Sequence, residues 1–316
     1  MITVPAPTGP GAFVHPALFY QGRDEYLAGV RGFVRGALAA EEPVLVAVPG
    51  RQLDALRESL GPEPAEIEYV DMTGLGRNPG RILAALQGFA DRHEGRAARI
   101  VGEPIWPGRT TAEVLEATRH EALINTAFAG RPATILCPYD VQGLSPRVVA
   151  DARRTHPTVI EQGRELTSPA YTDAPAVCTD CDLPLPEPGP EAVGLAYEGG
   201  DLARVREFAE AWTRGTSLDQ ARRGDLILAI SEAAANSLAH GGGSGMLRLW
   251  STAEGSAVAE VRDSGHLADP LAGRRRPALA SANGGRGLWM IHQLCDLVEI
   301  RATPSGLTLR LHVTAV

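Results

Sequence analysis

The chain has 316 residues, 44% hydrophobic and 22% charged, which is close to globular averages and long enough for two cores of roughly 150 residues each. It contains no run of about 18 apolar residues, and Met1-Ile2-Thr3-Val4-Pro5 lacks the basic and apolar regions of a secretory signal, so a cytoplasmic protein with no membrane span is expected. The net charge is -8 and all 30 basic residues are arginine, which argues against direct nucleic-acid binding and removes Schiff-base and phosphate-loop lysines, leaving protein and small-molecule partners.

From Tyr20 to about His156, helical and strand patterns alternate at short spacing. Tyr26, Val30 and Phe33 mark a helix before the apolar run Val44 to Val48. Leu53, Leu56 and Leu60 mark the next helix, before a strand at Ile67 to Asp71. Ile82, Leu83, Leu86 and Phe89 form another helix ahead of Arg99 to Gly102, and a helix from about Thr111 to Phe128 precedes Ala133 to Cys137. This alternation predicts an α/β N-terminal domain over residues 1–166, its parallel sheet covered on both faces. Ligands of such sheets bind beyond the carboxyl ends of the strands, which here carry Asp71, Glu103 with Trp106, and Tyr139 with Asp140. Asp71 and Asp140 serve equally well as caps of the following turns or helices.

Residues 167–192 are rich in proline (Pro169, Pro175, Pro184, Pro186, Pro188 and Pro190) and predict a semi-rigid linker. Cys178 and Cys181 form a lone C-x-x-C, short of the four ligands of a structural zinc, and an incidental role is expected.

Residues 193–316 predict a second domain. Helices run from about Leu202 to Arg214 and from Leu218 or Asp225 to His240, and strands cover Met246 to Trp250 and Ala257 to Arg262. A helix follows from Gly287 to about Cys295, and a hairpin turns at Pro304-Ser305-Gly306. The pattern is α+β, a mixed or antiparallel sheet with helices on one face.

In the second helix of this domain Leu228, Glu232, Asn236 and His240 fall on one line, so three polar side chains emerge from an otherwise apolar segment. Asn236 offers a neutral amide oxygen suited to Mg²⁺, and Glu232, one turn away, can orient a water or take a proton from an incoming hydroxyl. By alternation Asp263 continues the apolar face of its strand just where the strand stops, and Gly265 leaves room for a flat ring whose amino group could donate to the carboxylate. Gly284-Gly285-Arg286-Gly287 opens a helix and lets main-chain amides approach phosphate oxygens. The stretch from about Leu267 to Asn283, with Arg274, Arg275 and Arg276, suits a lid over nucleotide phosphates. Each element has a bland reading too: a solvated helix face, an ordinary Asp-Ser-Gly turn, a flexible helix entry.

In order, these elements resemble the GHKL ATPase superfamily, and Ser231-Glu232-Ala233-Ala234-Ala235-Asn236-Ser237 with His240 looks most like the helix of the anti-sigma-factor serine kinases. The resemblance covers about residues 195–316 and implies a GHKL ATPase sandwich. It implies Glu232 as catalytic base, Asn236 as magnesium ligand, Asp263 as adenine acceptor, and Gly265, Gly285, Arg286 and Gly287 as nucleotide contacts. ATP and Mg²⁺ are the implied cofactors, a sigma factor and a STAS-type antagonist the implied partners, and a homodimer is left open. Leu267 departs from the pattern, which often has glycine there, and bears on the lid hinge.

The first half is similar to the MEDS sensory domain, a RecA-like module without a working phosphate loop. The matching residues are His15 with Phe19-Tyr20, Gly102-Glu103-Pro104-Ile105-Trp106, His120-Glu121 with Asn125, and Cys137-Pro138-Tyr139-Asp140. The resemblance makes His15, Tyr20, Glu103, Trp106, Tyr139 and Asp140 candidates for holding a small sensory ligand, while His15 and His120 have an equally good reading as packing residues. His120-Glu121 also invites a histidine-kinase reading, but a buried strand and a proline-rich stretch follow where a helical hairpin would be needed. A different class of reading is a module that uses ATP only to set its shape and transfers nothing.

Overall fold

The computed structural model describes residues 12–61, 67–277 and 286–315 and divides the chain into two units, Met1–Thr179 and Asp180–Val316. Strands of the first unit are β1 (Phe13–Val14), β2 (Pro16–Tyr20), β3 (Val44–Val48), β4 (Ile67–Asp71), β5 (Ala98–Gly102), β6 (Ala133–Asp140), β7 (Thr158–Glu161) and β8 (Arg164–Thr167). Its helices are α1 (Gly22–Ala39), α2 (Gly50–Leu60), α3 (Met72–Leu75), α4 (Ile82–Arg92), α5 (Thr111–Ala127), α6 (Pro146–Thr155) and α7 (Ala174–Asp180), with a 3₁₀ turn at Pro79–Arg81.

The sheet runs β4-β3-β5-β6-β2-β7-β8, with β1 also on β6. Every pairing is parallel except β7 with β8, a hairpin whose two loop residues, Gln162 and Gly163, take φ of 48° and 73°. Two positive φ values give the primed turn whose twist matches the strands it joins. The interior strand β3, Val-Leu-Val-Ala-Val, is buried throughout, as a parallel strand covered on both faces must be. Helix α5 opens with a capping box between Thr110 and Glu113 and buries Glu116, Arg119, His120 and Glu121 beside its apolar residues. A helix with that much buried charge must satisfy it with partners.

The second unit has strands β9 (Val193–Glu198), β10 (Ser244–Ser251), β11 (Ala257–Asp263), β12 (Leu297–Thr303) and β13 (Gly306–Val313), and helices α8 (Leu202–Thr213), α9 (Gln220–His240) and α10 (Arg286–Leu294). Its sheet runs β12-β13-β11-β10-β9, every pairing antiparallel. Ala257, Ala259 and Val261 of β11 face a core completed by Leu226, Ala229, Ile230 and Ala233 of α9 and Ile291 of α10.

Alternation puts Glu260 and its neighbours on the other face of the sheet. Glu260 is fully buried there and takes ion pairs from Arg248, Arg262 and Arg310. Residues 182–187, inside the proline-rich stretch, lie along this face: Arg301 Nε donates to Leu183 O at 3.0 Å, Arg310 to Pro186 O at 2.7 Å, and Arg262 pairs with Glu187 at 2.9 Å. Proline suits such a segment, because its carbonyls accept from arginines while it needs few donors answered.

Candidate functional site

Helix α9 starts at Asp219, whose side chain accepts from the Arg222 amide at 2.8 Å, a cap for one of the unpaired amides of a helix start. Its polar line runs from exposed Leu228 through half-buried Glu232 and Asn236 to exposed His240, at the border of the core and not inside it. The helix stops at Gly241, where it meets the end of β11. Ser264 donates both its amide and its hydroxyl to Gly241 O, at 3.2 and 3.0 Å. A Cβ on Gly241 would fall 2.4 Å from Asp263 Cγ, so only glycine lets the helix pass this carboxylate.

Asp263 is enclosed by backbone. Its Oδ1 accepts the Gly265 amide at 2.8 Å, a Cβ on Gly265 would sit 2.8 Å from the same oxygen, and one on Gly306 would strike Asp263 O at 2.1 Å. Gly287, in the first turn of α10, closes on α9: its Cβ would lie 3.0 Å from Asn236 Nδ2 and 3.2 Å from Glu232 Oε2. Glu232, Asn236 and Gly287 therefore meet at one point.

A cavity of about 430 Å³ opens among these elements, lined by Asn236, Asp263, Gly265 and Gly287 together with Arg275 and Arg276. Its size is that of a nucleotide-sized pocket. His266 and Leu267 also line it, and Leu267 packs in part on the apolar core. Of the arginine run, Arg275 and Arg276 face the cavity while Arg274 is buried. Gly284, Gly285 and residues 278–283 of the expected lid lie outside the described residues, and Arg286 is the exposed first residue of α10.

These residues suit a purine nucleotide with a metal. Glycines close on the Asp263 carboxylate, Glu232 and Asn236 bring hard oxygens to Gly287, and Arg275 and Arg276 add positive charge to the cavity wall.

The first unit has a second cavity of about 410 Å³ beyond the carboxyl ends of β2 and β6, lined by Tyr20, Tyr26, Arg23, Arg51, Gln52 and Asp140. Beneath it Glu103 accepts the hydroxyls of Tyr20 and Tyr26, each at 3.3 Å. Burial pushes the Glu103 carboxyl up to about 8, against the pull of the two tyrosines and with help from nearby Asp140. Trp106 stacks under Arg109, 3.9 Å from guanidinium to ring centroid, and does not line this cavity. His15 and Tyr139 are buried elsewhere, around Glu121 and His156, so the six sensory candidates fall into separate places. Asp71 caps α3 through the Thr73 amide at 2.8 Å. His120 is buried in α5.

Residues 14–157 match the family described as MEDS, the methanogen/methylotroph DcmR sensory domain, and residues 196–313 match the histidine kinase-like ATPase domain. The chain joins a MEDS domain to a histidine kinase-like ATPase domain. Among solved structures, the RsbU and RsbW domains of Rv1364c from Mycobacterium tuberculosis align with it at 20% identity and a TM-score of 0.31, covering 40% of this chain and 33% of that one. The aligned part thus spans about a third of that neighbour. No curated protein matches the sequence. The ATPase-type domain implies ATP binding, and the MEDS domain contains both the Tyr20 cavity and the buried His15 cluster. Among the described residues no helix is long and apolar enough to cross a membrane.

Sequence reasoning passed over Gly241, Gly306, His266 and His156. The first three stand in glycine-rich or turn-like runs indistinguishable from ordinary loops, and His156 gains meaning only when the sheet brings it beside His15.

Proposed function

We propose that the C-terminal domain binds ATP with Mg²⁺ beside Asp263 and phosphorylates a serine or threonine of an anti-sigma antagonist, sequestering a sigma factor when that antagonist is absent. The observation that carries this reading is the meeting of Glu232 with Asn236 and Gly287, the last two in the cavity wall, on a domain of the histidine kinase-like ATPase type. Asp263, oriented by the Gly265 amide, accepts the adenine amino group. Asn236 offers its amide oxygen to Mg²⁺, and the amides of Arg286 and Gly287 meet the phosphates at the start of α10. Arg275 and Arg276 supply the positive charge that a lysine gives elsewhere. Glu232 takes the proton of the attacking hydroxyl. In the N-terminal domain, Tyr20, Glu103 and Asp140 form the place for a small sensory ligand.

The second reading is an ATP-binding partner switch without phosphoryl transfer, and Leu267 favours it. Where the resemblance leads one to expect a hinge glycine, a side chain lines the cavity and packs on the core. Radiolabelled ATP, Mg²⁺ and the cognate antagonist separate the two readings. With the full chain the kinase reading predicts labelled phosphoserine or phosphothreonine, and with Glu232→Ala it predicts nucleotide binding without label. Wild-type protein that binds ATP and labels nothing establishes the non-catalytic module instead.

A further inference from the structure

We propose that the N-terminal domain binds one divalent transition-metal ion, zinc by its ligand chemistry, through His15 Nε2, His156 Nε2, Cys137 Sγ and the Glu121 carboxylate. The four side chains come from separate segments: the join of β1 and β2, helix α5, strand β6, and the residue that follows α6. All four are buried, and one ligand atom from each lies within 4.8 Å of every other. The closest approaches are His15 Nε2 to Glu121 Oε2 at 3.2 Å, His156 Nε2 to the same oxygen at 3.2 Å, and His15 Nε2 to Cys137 Sγ at 3.3 Å. A tetrahedral zinc with bonds of about 2.0–2.3 Å has ligand-to-ligand edges of about 3.3–3.8 Å. Three of the six ligand pairs already have nearly those spacings, and the rest lie within 4.8 Å.

The hydrogen bonds around the cluster fix both histidines as ligands. Asn125 Nδ2 donates to Thr155 O at 2.8 Å, which leaves Asn125 Oδ1 facing His15 Nδ1 at 3.1 Å. His15 Nδ1 must therefore carry the hydrogen. His156 Nδ1 lies 2.8 Å from Ala152 O, which can only accept, so it carries one too. Each neutral imidazole then turns the lone pair of Nε2 toward the Glu121 carboxylate. Among the described residues, neither Glu121 oxygen nor His156 Nε2 completes a well-aligned hydrogen bond. A dication meets all the lone pairs at once, and with one carboxylate and one thiolate the site is neutral, as a fully buried site should be. Outer partners that hold the far ring nitrogen are the usual support of metal-bound histidine.

Four protein ligands leave no open position, so the ion is structural and not catalytic. It ties α5 to the neighbouring strands β2 and β6, which end at Tyr20 and Asp140 in the wall of the second cavity. Binding replaces the Cys137 S–H bond with a sulfur–metal bond and releases that proton to solvent, with no electron transferred.

The test is metal content and spectroscopy of the full chain. One zinc per chain is expected, with an X-ray absorption shell of one sulfur and three nitrogen or oxygen neighbours. Cobalt exchanged into the site should give tetrahedral visible bands and a thiolate charge-transfer band that Cys137→Ser removes and the double variant Cys178→Ser with Cys181→Ser retains. Asn125→Ala, which leaves all four ligands in place, should weaken zinc affinity by about tenfold to a hundredfold. Wild-type protein that takes up less than one zinc or cobalt from a stoichiometric supply overturns the proposal. So does a shell lacking sulfur, or a charge-transfer band lost with Cys178 and Cys181 instead of Cys137.

Discussion

Asp263 owes its position to three glycines. Side chains at Gly241, Gly265 or Gly306 would collide with its carboxylate or carbonyl, so Asp263 is fixed by what its neighbours lack. Glu103 is fixed in the opposite way, by burial under two tyrosines. Its carboxyl is raised from 4.5 to about 8, so between those values the folded state holds a proton that the unfolded chain has lost. The stability this contributes is full below about 4.5 and is lost as pH rises through about 8, a span on the order of a few kcal/mol. Glu103→Gln should flatten the pH dependence of the N-terminal domain's melting temperature in that window, with its advantage over wild type growing as pH rises. Parallel melting curves for the two proteins would contradict the assignment.

At the scale of elements, α9 does two jobs: its apolar side completes the core, and its border carries Glu232 and Asn236. Asp219→Ala removes its cap and should cost about 1 kcal/mol in urea unfolding, with little effect on nucleotide affinity. The opposite face of the sheet depends on Glu260, fully buried among Arg248, Arg262 and Arg310. Glu260→Ala would remove the buried carboxylate the three guanidinium groups share, leaving them Glu187 and the Pro186 carbonyl. Because Arg248 and Arg262 still reach solvent, the expected loss is near about 3 kcal/mol, the lower end for breaking a buried pair. A loss under about 1 kcal/mol would mean that water already satisfies this face.

Most of the helices and strands could be read from the sequence, because α1, α2, α4 and α8 repeat at 3.6 and the buried strands β3, β5 and β6 are short, mostly apolar runs. Strand β9 could not: only Leu195 and Tyr197 are buried, and it borders a proline-rich stretch that hides so short an alternation. The proline-rich residues 182–187 read as a spacer because composition cannot tell a free segment from one whose carbonyls are taken by arginines far along the chain. Glu232, Asn236 and Asp263 were legible because strand and helix periods place them on defined faces. The His15, Glu121, Cys137 and His156 cluster was not, since its members are separated by up to 141 positions and only the sheet order joins them.

For the whole molecule, two units of different architecture carry two kinds of pocket: one built over a protonated carboxyl and two tyrosines, the other over a carboxylate, an amide and a run of arginines. The division of labour we propose is recognition of a small ligand in the first unit and nucleotide chemistry in the second. The central claim is that the cavity beside Asp263 is the ATP site. Calorimetric titration of the full chain with ATP and Mg²⁺ tests it most directly, comparing wild type with Asp263→Asn. The account predicts a single saturable site whose affinity falls by about tenfold to a hundredfold in the variant, the worth of one charge-assisted hydrogen bond of about 1.5–3 kcal/mol. Equal affinities for the two proteins would contradict it.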